Sequence, residues 1–268
     1  APVPSRPSMR TPSVGGEALV RADCAIAQDT TISGAGDLAI LDGFTGFGWR
    51  DTVVTVEEGV TLSNSGRIEN FSVVENDGRY VGRGEVVNGG VIRNEGAFDV
   101  SGRSFLANPG EVDNRSDGRF ENAGALTIGP SVKFTNTGVL DNTGAVSMSR
   151  GARFTNEGVV DTTGAFTVGH GALFSNEGVF DNGGATEISG VFDNRGQLTG
   201  NSSVTVNTSG ELKTSASSVG DDVTLNIDGV LSLEGGASGE NPSTLPKKLS
   251  LGEDAWISGI GRTSDGRT

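Results

Sequence analysis

The chain has 268 residues, 43 of them Gly and 12 Phe, with a formal charge of −14. That acidity argues against nucleic acid and anionic membrane surfaces as partners, because both reward clusters of Lys and Arg, and no apolar run approaches the roughly 20 residues of a membrane helix. Cys24 is the single cysteine, so an intramolecular disulfide and a metal site built on thiolates are excluded.

Residues 1–16, APVPSRPSMRTPSVGG, carry Arg6, Arg10 and four prolines but no acid. They predict a disordered linker or a processing remnant, in one form the trimmed end of an organelle transit sequence. From residue 17 the chain reads as one domain to residue 268. Cys24 lies in an alternating stretch as a small buried apolar residue. DLAILDG and VEEGVTLSNSG read as its first coils. A repeat then emerges: apolar, any, Asn, any, Gly, any, apolar. The Asn falls at Asn64, Asn88, Asn108, Asn136, Asn156, Asn176 and Asn194, and Gly66, Gly90, Gly110, Gly138, Gly158, Gly178 and Gly196 follow two residues later. The stretches FTNTGVLDN, FTNEGVVDT and FSNEGVFDN begin at Phe134, Phe154 and Phe174. Segments such as AVSMS and AFTVG alternate between the copies, which is strand spacing, and nothing has helical period. VNTSGELKT and LNIDGVLSL continue the pattern, a loop interrupts it near 234–247, and LSLGEDAWISGIG reads as one more turn. The closing RTSDGRT supplies no polar cap, so the C-terminal end is expected to continue or to pack against another chain.

A unit of about 20 residues with three short strands cannot bury its apolar face alone, and stacking such units solves the problem. The sequence therefore predicts an all-β, single-stranded parallel β-helix, or β-solenoid, of roughly twelve coils and near 60 Å long. Phe134, Phe154 and Phe174 then form one internal file, and Asn136, Asn156 and Asn176 a ladder of stacked amides. Asn and Gly are placed at corners because both tolerate the left-handed backbone region. Strict six-residue spacing is not read here, which favours a right-handed coil over the left-handed hexapeptide type.

The grammar of GVTLSNSGRIEN, FTNTGVLDNTGAV and FTNEGVVDTTGAFTV resembles that of the β-helical passengers of bacterial autotransporters and filamentous-haemagglutinin-type adhesins, over roughly residues 50 to 215. The resemblance implies an exported, cysteine-poor, adhesive protein at the cell surface or outside the cell.

Several outward residues are candidates for chemistry. Asp141, Asp161 and Asp181 share one coil position and Glu157 and Glu177 another, with Arg93 at the position equivalent to the aspartates in an earlier copy. A carboxylate column can hold Ca²⁺ or serve as an acid and base pair, but it reads here as a solvated acidic face. His170, aligned with Pro130 and Arg150, reads as a variable outer turn. Thr135, Thr155 and Ser175 form a short hydroxyl column, read as an ordinary strand face rather than an ice-binding one. Trp49, Tyr80 and Trp256 sit outside the regular copies, as carbohydrate-stacking or end-packing residues. DNRSDGRF has Arg115 where a calcium loop needs oxygen and reads as an extra turn.

The expected function is that of a non-catalytic structural or adhesive solenoid, without cofactor or metal. Outer turns and loops at 71–85, 113–121 and 234–247 would meet a protein or glycan surface, with neither nucleic acid nor direct membrane insertion involved. The alternatives are a polysaccharide lyase or hydrolase on a β-helix, and a scaffold subunit of a larger assembly, located in a plastid if the first residues derive from a transit peptide.

Overall fold

The computed structural model describes residues 52–106, 110–215, 218–233 and 247–258, together with the backbone of short strands between Glu17 and Arg50. Residues 1–16, Asn108, the side chains of Cys24 and Trp49, and nearly all of the predicted 234–247 loop lie outside that set.

The unit of structure is a strand of four residues whose second and fourth side chains point inward. In Lys133–Asn136, for example, Phe134 and Asn136 are buried while Lys133 and Thr135 face out. A corner of two residues follows, and the next strand begins. From Arg67 to Leu106 strands start at Arg67, Val73, Arg79, Glu85, Val91, Ala97 and Arg103, six residues apart. The hexad that the sequence reading missed is therefore present, as any, apolar, any, Asn or a small or apolar residue, then a corner often closed by Gly. Its presence removes the ground on which a right-handed coil was preferred.

Three such strands close one coil, and parallel pairing of successive coils builds three sheets of twelve, twelve and nine strands, about nine complete turns rather than twelve. We call them sheet A (containing Lys133–Asn136), sheet C (containing Val139–Asn142) and sheet B (containing Ala145–Met148), in the order the chain visits them. The minimal coil has eighteen residues, as from Asn76 to Asn94. Two-residue additions lengthen it to twenty or twenty-two, and most fall at the corner between sheets B and A, at 129–132, 149–152, 169–172 and 207–210. The predicted 20-residue period is this hexad coil with one corner enlarged.

The register corrects the sequence alignment. Asn136, Asn156 and Asn176 do stand in one column, continued by Asn114, Asn94 and Asn76 on one side and Asn194 on the other. Asn64 belongs instead to sheet C and Asn88 to sheet B. All three sides use the same hexad, so the motif alone does not say which side a copy occupies. The predicted loops are also strands: 71–85 contains Val73–Asn76 and Arg79–Gly82, and 113–121 contains parts of Glu111–Asn114 and Arg119–Asn122. The extra turn of DNRSDGRF is real but small, four residues where most corners between sheets A and C have two.

The interior is apolar and continuous. Phe134, Phe154, Phe174 and Phe192 pair in register on sheet A, fully buried, with ring centroids 4.7, 4.9 and 4.6 Å apart. Rings thus repeat at the distance between paired strands, roughly 4.8 Å. Tyr80, Phe98 and Phe120 form a second file on sheet C, which meets the first edge-on where Phe120 touches Phe134. Tyr80, expected outside the regular copies, is a regular inward residue; its hydroxyl accepts a hydrogen bond from Asn64 Nδ2 at 3.1 Å, and burial holds its pKa well above the usual phenol range.

Corner glycines are required for a reason other than the one predicted. Gly138, Gly158, Gly178 and Gly196 are not among the residues with positive φ. A Cβ on Gly158 would stand 2.1 Å from the Gly138 carbonyl oxygen, and one on Gly178 2.0 Å from that of Gly158. Coils approach so closely at these corners that only hydrogen fits. Left-handed backbone occurs in the enlarged B–A turns, at Ser131, Gly151 and Gly171.

Candidate functional site

The buried amide column comes first because it fixes everything outside it. Asn136 Nδ2 donates to Asn156 Oδ1 at 2.7 Å and to the Val159 carbonyl at 2.9 Å; Asn156 repeats this with Asn176 Oδ1 and Val179 O. The chain of bonds starts at Asn76 and ends where Asn194 donates to Thr214 Oγ1. Shorter columns join Asn122 to Asn142 and Asn70 to Asn88. Buried amides of this kind avoid the cost of about 1–3 kcal/mol for an unpaired polar group. Asn76 Oδ1 and Asn122 Oδ1, the first members of their columns, lack a donor.

Outward positions obey the same register. On sheet C, Asp141, Asp161 and Asp181 are paired neighbours, and the column extends back through Glu121 to Asp99, five successive carboxylates. Arg93 does not interrupt it: that residue lies on sheet A between Glu75 and Asp113. Arg79 binds Asp99 Oδ2 through Nε at 3.0 Å and Nη2 at 2.7 Å, and Arg119 bridges Glu121 and Asp141. Asp161 and Asp181 have no ion-pair partner among the described residues. Burial raises the pKa of Asp141; Arg119 works against that shift, while Asp161 and Glu121 reinforce it. The guanidinium is close to Asp141 Oδ2 but its N–H is poorly aligned with that oxygen, which accepts no hydrogen bond, so burial and like charge prevail.

Glu157 and Glu177 occupy equivalent exposed corner positions between sheets A and C, their backbone N–H groups donating to Asn136 and Asn156 carbonyls. They are separate from the aspartate column. His170 is exposed at the tip of an enlarged B–A turn. Thr135, Thr155 and Ser175 are in register on the outer side of sheet A. Trp256 is 66% exposed on the last described strand of sheet A. Among the described residues no group of three His, Cys, Asp or Glu is placed to hold a metal ion, and no helix is long and apolar enough to cross a membrane.

Sheet B differs from the other two. Its outward side carries only Ala, Thr and Ser from Ala125 to Thr205, apart from Glu187. At its early end lie the residues that sequence reasoning missed. Arg83 and Arg103 flank a shallow groove floored by Gly84, Gly102 and Gly124, and Phe71 and Phe105 are 45% and 42% exposed on the same stretch of coils. A six-residue alignment would have placed Arg83 and Arg103 on adjoining coils. No family model, curated protein or solved structure matches the chain.

Proposed function

We propose that the chain is a non-catalytic structural and adhesive solenoid, working at the cell surface or outside the cell, whose rigid interior presents outward columns to a surface partner. One observation carries this reading: inward positions hold apolar residues, Asn and small groups on every sheet, whereas outward positions differ from sheet to sheet, with a carboxylate column on C, Ala, Thr and Ser along much of B, and charged and hydroxyl residues mixed on A. On sheet A the inward file runs Phe134, Phe154, Phe174, Phe192, while the outward column beside it runs Thr135, Thr155, Ser175, Asp193. The outside can therefore be altered without disturbing the stack. The resemblance of the repeat grammar to adhesive β-helical passengers supports the same reading.

The test is adhesion of the purified chain to immobilised glycans and cell-surface extracts, measured alongside melting. Substitutions at outward positions are expected to change adhesion while leaving the melting temperature in place. Time-dependent release of reducing ends or unsaturated products from an acidic polysaccharide, with or without calcium and lost in Asp161→Ala, would overturn the reading in favour of a lyase or hydrolase.

A second reading, a scaffold subunit of a larger assembly, is favoured by Trp256, Leu251 and Ile257, which are 66%, 50% and 38% exposed on the last described coil. A stable increase in size after mixing with a native extract is its expected sign.

A further inference from the structure

We infer that the early end of sheet B is a binding site for an anionic polysaccharide, with Arg83 and Arg103 holding its carboxylate or sulfate groups and Phe105 and Phe71 receiving its sugar rings. The inference rests on the adhesive reading above and names the class of partner.

The cations are the first ground. In a chain of charge −14, most basic side chains described are held by a carboxylate: Arg79 by Asp99, Arg93 by Glu75, Arg115 by Glu95 and Asp113, Lys133 by Glu111. Arg83 and Arg103 form no ion pair or side-chain hydrogen bond with any described residue, and both line one groove at the corner between sheets C and B. Glu85 also lines it, in register with Arg103, and its Oε2 forms an ion pair with Arg67 Nε at 3.0 Å without a hydrogen bond. The backbone N–H groups of the groove are spent on the coil beneath: those of Arg83 and Gly84 reach the Asn64 carbonyl, and those of Ser101 and Gly102 reach that of Gly82. Recognition of an anion therefore falls to the two guanidinium forks, which match the paired oxygens of a carboxylate or sulfate. The glycine floor leaves the space between them open.

The aromatic rings are the second ground. Phe105 stands two residues beyond Arg103 on the same strand, in the outward column that runs from Val87 to Thr127. Phe71 leans over the adjoining coil at Gly89, where a Cβ would meet its ring at 3.0 Å. Each ring is more than two-fifths exposed, although Phe elsewhere in the described solenoid is buried. Cations on one side of the sheet and aromatic faces on the other suit a ligand with anions on one edge and carbon-bound hydrogens on its ring faces. A polysaccharide of acidic sugars has both, and the Ala, Thr and Ser face beyond, uncharged as far as Glu187, gives its chain a level path along the axis. Nucleic acid has the same features, but it draws its affinity from many Lys and Arg along its backbone, a track that two arginines in a chain of charge −14 do not supply.

The experiment titrates the full chain with polygalacturonate, a sulfated heparin-type polysaccharide, neutral dextran, polyglutamate and inorganic sulfate, following binding by calorimetry and assaying the same samples for cleavage. Binding to one or both acidic polysaccharides, weakened by salt, with dextran, polyglutamate and sulfate inert, is expected. The double variant Arg83→Gln/Arg103→Gln is expected to bind about tenfold or more weakly, and Phe105→Ser to lose affinity with the salt dependence unchanged. Arg150→Gln/Arg153→Gln, altering cations elsewhere, serves as the control and should bind as the parent does. Equal affinity in the Arg83/Arg103 variant, with its melting temperature retained, overturns the site. Equal binding of polyglutamate overturns the polysaccharide assignment, and so does failure of both acidic polysaccharides to bind while the chain still adheres to other surfaces, which leaves the adhesive reading standing. Cleavage of a bound polysaccharide would confirm the site and overturn the non-catalytic reading instead.

Discussion

Asn156 shows what one side chain does in this fold. Its amide receives a hydrogen bond from Asn136 and gives one to Asn176, so replacement by Ala leaves Asn176 Oδ1 buried without that donor. Asn156→Ala is expected to cost about 1–3 kcal/mol in urea denaturation. Asn156→Thr should cost less, because Thr162 and Thr214 already stand in such columns and accept from the preceding Asn. At Asp141 the effect is electrostatic. Its folded-state pKa lies above the ordinary aspartate value of 3.8, so the folded protein binds the proton more tightly than the unfolded chain does. Its contribution therefore favours folding at low pH and is lost as pH rises from that ordinary value through the raised one. Asp141→Asn should stabilise the protein at neutral pH and flatten that part of the decline; urea midpoints measured across the acid range check both. The pairing of Asp141 with Asp161 was legible from spacing alone, but the shift was not, because it depends on burial and on Arg119 from the coil before.

Strands and corners set the next scale. Phe154 touches Phe134, Phe174 and Phe166, so Phe154→Ala opens a void that its paired neighbours cannot close without breaking register. A loss of about 3–5 kcal/mol is expected, read as a shift of the denaturation midpoint. A Cβ at Gly164 would lie 1.7 Å from the Gly144 carbonyl oxygen, a backbone atom with no room to yield. Gly164→Ala is therefore expected to disorder the corner between sheets C and B, seen as faster amide exchange in the strands beginning at Val159 and Phe166. Much of this level was readable in the sequence. Alternation identified strands, the 20-residue recurrence at Phe134, Phe154 and Phe174 identified the file, and the same recurrence aligned Asn136 with Asn156. The early coils were misread because Asn64, Asn88 and Asn94 occur on all three sides of an eighteen-residue turn, and copies on different sides look alike. The reason for the corner glycines was also hidden, since close approach between coils leaves no mark that separates it from a left-handed turn.

Across the whole molecule, stability is a sum over coils and the contacts between neighbours, so removal of a coil in phase should be tolerated. Residues 177–194 make up one such coil, the eighteen residues after Asn176 up to its register partner Asn194. Deleting them should yield a shorter solenoid with a single cooperative transition and unchanged strand signature by circular dichroism. Deleting 177–191 instead shifts every later side chain out of phase with its sheet and should abolish that transition. The site on sheet B was the least legible feature at this scale. Arg83, Arg103 and Phe105 carry no motif, and they come together only once the hexad places them on adjoining coils.

The enlarged turns have a consequence for traffic across that face. From residue 129 on they raise a bank along one border of sheet B, while the opposite border keeps low, glycine-bearing bends such as Thr143–Gly144. A long, thin guest on those later coils leaves more readily over the low border, whereas beside Arg83 and Phe105 the two-residue corners 71–72 and 89–90 leave both borders low.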